Sequence, residues 1–124
     1  MAGVWGSVEA RATRKLPVIA GNATMAVLVD VDGSVKAWGD AGNPHDLSMG
    51  DGVIKRGLRI MAPRAVPGLT HAVSAAVGGY QVLILLEDGT VLGWGPINMS
   101  TPAGDKPYSV VPIPLFKLRL GGED

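Results

Sequence analysis

Leu86-Glu87-Asp88-Gly89-Thr90-Val91-Leu92-Gly93-Trp94-Gly95 sets an Asp-Gly pair between two apolar arms and closes on Trp-Gly. Asp-Gly is a hairpin signal, because both residues tolerate the left-handed conformations that a tight reversal uses. A related string, Val29-Asp30-Val31-Asp32-Gly33-Ser34-Val35-Lys36-Ala37-Trp38-Gly39, lies upstream. Asp32-Gly33 and Trp38-Gly39 precede Asp88-Gly89 and Trp94-Gly95 by the same 56 positions. At that offset Ala26-Val27-Leu28-Val29 falls on Val82-Leu83-Ile84-Leu85. A hairpin repeated with a period near 50 residues is the size of a propeller blade or a similar repeated unit.

The arms have a consistent physical reading. Met25 to Val31 and Val82 to Leu86 are apolar and largely β-favouring, which predicts strands buried on both faces. The returning arms alternate. Val35 and Ala37, or Val91 and Gly93, share one face; Lys36 and Trp38, or Leu92 and Trp94, share the other. Val73 to Val77 reads as a further strand and Gly78-Gly79-Tyr80 as a turn or bulge after it. The tail from Tyr108 to Phe116 is apolar and extended, and its prolines favour a sheet edge. Ala41 to Arg59 is Gly- and Asp-rich and reads as a long connection. Val4-Trp5-Gly6 has the look of a partial third copy without its own Asp-Gly turn. The organisation expected is one repeat domain over residues 1–124, with a first blade-like repeat and its connection over 18–59 and a second with C-terminal strands over 60–124.

Composition narrows the function classes. Eleven Lys and Arg balance eleven Asp and Glu, and no basic stripe is present, so a nucleic-acid partner is not expected. The chain has no cysteine, which removes disulfides, thiolate metal sites and cysteine nucleophiles. No apolar run reaches the ~20 residues of a membrane helix, and no signal-peptide pattern opens the sequence, so the expected setting is cytoplasmic with no membrane partner. Eighteen Gly and nine Pro suit many short strands and turns.

In this combination the chain resembles the repeat family named for the regulator of chromosome condensation. The likeness is carried by Pro67-Gly68-Leu69, Val73, Ala75-Ala76, Gly78-Gly79-Tyr80, Leu85 to Val91 and Gly93-Trp94-Gly95 in the second copy. In the first copy Val18 to Asn22, Asp32 to Val35 and Ala37-Trp38-Gly39 carry it. The resemblance implies an all-β fold of blade-like antiparallel sheets, part of a β-propeller. Members include exchange regulators of small GTPases, chromatin binders and a bacterial inhibitor of β-lactamases, and none of those roles transfers residue by residue. The family's usual continuation after Trp-Gly is blurred at Asp40 to Asn43 and lost after Pro96-Ile97-Asn98.

Two repeats are too few for a closed ring. That leaves an open pair of blades, a ring completed by several chains, or a fold that keeps only the hairpins. A blade cannot bury both faces alone, so self-association is the favoured expectation, and the partner is another copy or another protein. Trp38, Tyr80 and Trp94 are the candidate binding residues, although an indole at either Trp position also suits a blade junction. Asp32, Gly33, Asp88 and Gly89 are assigned to turns. The alternative function is a small enzyme with a polar site between blades or subunits, using His45 and the adjacent Asp46 to orient a proton, with Arg56 nearby. His71 reads as a partly exposed residue at a strand start. Asp30 and Asp32 have the opening of a calcium loop, but Val35, Ala37 and Trp38 stand where oxygen ligands are required. Neither a metal nor a cofactor is expected.

Overall fold

The computed structural model describes residues 16–40, 46–102 and 104–119. Val4-Trp5-Gly6 and His45 lie outside them. In the first sheet β1 (Val18–Gly21), β2 (Met25–Val29), β3 (Val35–Asp40) and β6 (Arg59–Ala65) lie side by side in that order, each antiparallel to its neighbour. The second sheet repeats the plan with β7 (Ala72–Gly78), β8 (Gln81–Leu86), β9 (Thr90–Gly95) and β12 (Ser109–Lys117). Between the third and fourth strands of each sheet the chain leaves to build a small hairpin. β4 (Asp46–Ser48) pairs with β5 (Ile54–Arg56) in the first, and β10 (Met99–Thr101) with β11 (Gly104–Lys106) in the second. The protein is all-β, a pair of blade-like four-stranded sheets not closed into a ring.

The repeated Asp-Gly reversals share one geometry. Gly33 N–H donates to Asp30 C=O at 3.0 Å, and Gly89 N–H donates to Leu86 C=O at 3.0 Å. The glycines take φ of 84° and 91°, while Asp32 and Asp88 keep negative φ. These are therefore three-residue loops, a four-residue turn ending in a left-handed glycine, and not the two-residue turn with both central residues left-handed. The aspartates act through their side chains. Asp32 accepts from Ser34 N–H and Ser34 Oγ–H, and Asp88 accepts from Thr90 N–H. Those bonds hold both carboxyls below the ordinary carboxylate range, with the Ser34 hydroxyl the largest influence on Asp32 and the Thr90 amide on Asp88.

Register settles where the first blade ends. β6 pairs with β3, Lys36 opposite Ala65 and Asp40 opposite Arg59, so the first sheet runs to Ala65, beyond the division at 59 read from the sequence. Pro63 is tolerated because β6 is an edge strand whose pairing is irregular between Ala37 and Gly39. β12 is likewise an edge, with Pro112 and Pro114 inside it. It runs on through Phe116 and Lys117.

The core lies between the two sheets. Met25, Val27, Val29, Val35 and Ala37 of the first blade form one buried cluster with Ala72, Val82, Ile84 and Trp94 of the second. β2 alternates buried with half-buried residues and is not enclosed on both faces as its composition suggests. A strand buried on both faces needs a sheet on each side, and among the described residues this blade has one neighbour.

Candidate protein-interaction surface

The junction between the blades centres on the second of the repeated tryptophans. Trp94 is wholly enclosed, at 0% exposure, and its indole Nε1–H donates to Ser48 C=O at 3.0 Å. Its ring packs against Gly50, where an added Cβ would come within 2.9 Å of Cδ2. Gly52 N–H donates to Val110 C=O at 2.8 Å, and the Ser48 hydroxyl reaches the same carbonyl at 3.3 Å. The β4–β5 hairpin of the first blade is thus an arm laid across β9 and β12 of the second. Leu47, Ser48 and Met49 are buried in it. At the two rims Asn22 Nδ2–H donates to Gly79 C=O at 2.9 Å and Ala72 N–H donates to Gly33 C=O at 3.1 Å.

The arm is pinned by charge at its tip. Arg64 donates to Asp51 at 2.6 Å. Burial, the largest single influence on Asp51, pushes its carboxyl up, but the Arg64 and Val53 N–H hydrogen bonds and the Arg64 charge outweigh it, so the carboxyl sits below the ordinary range. A carboxyl depressed by folding stabilises the fold above its unfolded-state pKa, and that contribution disappears as pH falls through the lower folded-state value. Asp51→Asn is therefore expected to cost about 1 kcal/mol at neutral pH. The difference from the parent should vanish in the acid limb of a urea-unfolding series; a gap that persists at acid pH would assign the loss to packing.

Among the described residues, the faces turned away from the junction are its repeats left open. On the first blade Ala26, Leu28, Lys36 and Trp38 stand at the offset positions of Val82, Ile84, Leu92 and Trp94. Trp38 is half-buried and lines a cleft of about 340 Å³ with Asn22, Thr24, Ile60 and Met61. On the second blade Leu83, Leu85, Val91, Phe116 and Leu118 line a hollow of about 210 Å³ with Ala75. Met61, at 69% exposure, lines the first of these openings, and Phe116, at 43%, lines the second.

Part of this was visible in the one-dimensional pattern. Among solved structures, a chain in the crystal structure of Kap60 bound to yeast RCC1 (Prp20) superimposes with a TM-score of 0.61, at 24% identity over 82% of this chain. The two share a blade architecture. The match takes in 23% of that chain, so this protein spans about a quarter of its length. No family model matches, and no curated protein matches.

The remaining candidates are distributed unevenly. Tyr80 is half-buried in the β7–β8 turn and packs against the core cluster. Trp38 lines an open cleft, whereas Trp94 faces the first blade's arm and no rim. Asp46 and Arg56 are opposite one another in the β4–β5 register. Among the described residues no three His, Asp, Glu or Cys side chains gather in a metal-binding arrangement. His71 does meet a carboxylate: its Nδ1 lies 2.9 Å from Glu87 Oε2, beside a cleft of about 430 Å³ floored by Leu69, Leu86 and Leu92. Both side chains are largely exposed, so solvent screens the pair. The pairing follows from register, since Ala72 opposite Leu86 brings His71 across from Glu87.

Proposed function

We propose that this chain is a noncatalytic scaffold that binds protein through the outer faces of its blades. The observation that carries the reading is the pair of open apolar faces flanking a closed junction of the same build. Where two such faces meet inside the molecule, a Trp and an apolar strand surface become fully buried. The outer copies offer comparable residues to solvent, as interaction surfaces do. The shared fold with a chain in a protein–protein complex, Kap60 with RCC1, adds support of the same kind. His45 and Asp46 stay the residues on which an enzymatic alternative would depend.

Native mass measurement tests the scaffold. The chain, 12.8 kDa by itself, should be recovered in larger complexes at cellular concentration. Met61→Glu and Leu85→Glu each place a charge on one outer face, and at least one should dissolve those complexes without lowering the unfolding midpoint. A 12.8 kDa species under all conditions, in extract as well as alone, would sink the reading.

A further inference from the structure

We infer that the cleft at Trp38 receives the β10–β11 hairpin of a second copy of this chain, so that copies stack head to tail. This presupposes the scaffold reading and names the partner for one of its faces. The inference comes from the registers. Gly95 pairs with Ser109 in β12, and Gly39 pairs with Ile60 in β6. One step along each edge strand, Met61 stands where Val110 stands. Inside the molecule the Val110 carbonyl takes the arm's Gly52 amide and Ser48 hydroxyl while Trp94 donates to the Ser48 carbonyl. The cleft of about 340 Å³ therefore brings together Trp38 and Met61, the equivalents of the two groups that an arm grips.

The same chain carries an arm to fill it. The β10–β11 hairpin leaves the second blade where β4–β5 leaves the first, and Thr101 ends β10 as Ser48 ends β4. Among the described residues no blade lies beyond it. Sheet faces match as well. Leu83, Leu85 and Val91 stand at the offset positions of Val27, Val29 and Val35, which meet the second blade across the closed junction. Stacking one copy's second blade on another's first blade would set residue kinds together as the internal junction does. Lys36, in place of Leu92, lies near the Asp32 carboxylate at the turn end of β3, where its charge is felt. A lysine at this position can cover the face with its stem and leave its ammonium at the rim.

Such a contact joins unlike surfaces. It generates rings or open chains and not a two-fold dimer. The absence of native cysteine makes the contact addressable. Met61→Cys and Thr101→Cys are made in separate full-length chains, mixed, and treated with a short bismaleimide. The expected result is a mixed Met61→Cys–Thr101→Cys link, with native masses that climb past two copies as concentration rises. Trp38→Ala should return the protein to monomer with its unfolding midpoint unshifted. A concentration-independent monomer in which Trp38→Ala lowers the midpoint would overturn the inference, because the seat is then filled from within the same chain. A link formed only between two Met61→Cys chains would overturn it as well, since the contact is then two-fold. Assembly with a different protein alone removes self-stacking and leaves the scaffold standing; no assembly with anything removes both.

Discussion

Trp94→Ala should lower the free energy of unfolding by about 3–5 kcal/mol, read from the midpoint and slope of a urea titration. The indole is completely enclosed between the blades and is the largest fully buried side chain among the described residues. Truncating it removes the aromatic area, opens a cavity and strands the Ser48 carbonyl that accepted its N–H. A domain of this size holds roughly 5–15 kcal/mol in all, so one substitution removes a large share. Trp94→Phe separates the parts. It keeps most of the ring and loses the hydrogen bond, for an expected cost of about 1–2 kcal/mol. A loss below about 1 kcal/mol for the alanine variant would mean that the two blades do not depend on this contact.

Trp38, in the same local sequence, carries the opposite expectation. Both tryptophans follow a hairpin turn, alternate with small residues and precede a glycine. Their burial differs because of what lies opposite: an arm across Trp94 and an open cleft at Trp38. Position in the stack, and not residue type, decides which Trp is enclosed in the fold and which lines an open cleft.

That distinction marks how far the residues alone could be read. The hairpins were legible because turn chemistry and alternation act over a few residues, and Asp32-Gly33 and Asp88-Gly89 close them. The 56-residue offset then aligned the blades. The arm over Asp46 to Arg56 was legible only as a long connection. Its strands are three residues each, too short for a periodic signal, and Leu47 and Met49 find their burial on the other blade. The place of β6 was hidden for a related reason. A fourth strand joins its sheet by pairing across a long insertion, and nothing local in Arg59 to Ala65 names β3 as its partner. The same limit applies to the surface. Trp38 and Met61 are 23 positions apart, and only the edge-strand register brings them to one cleft.

Gly95→Ala is expected to cost about 2–4 kcal/mol, and the reason is the backbone rather than the core. Gly95 ends β9 at φ 93°, a left-handed conformation that alanine adopts at a cost of about 1–2 kcal/mol. Its missing Cβ leaves room for the β7–β8 turn. An added one would press on the Tyr80 carbonyl and lie 3.1 Å from Gln81 Cα. Neither contact is a side-chain end that swings aside. Gly39 repeats the arrangement under the β1–β2 turn, where an added Cβ would press on the Thr24 carbonyl and lie 2.6 Å from Met25 Cα. Trp-Gly therefore recurs because one chain crosses closely over another just after the indole. Gly68→Ala is the control. Its φ of 75° is also left-handed, but nothing lies within 4 Å of the added Cβ, so it should show the conformational cost alone. The excess of Gly95→Ala over Gly68→Ala in paired urea titrations measures the crossing. Equal losses would show that the turn yields freely, and Trp94 would then be held by the first blade's arm alone.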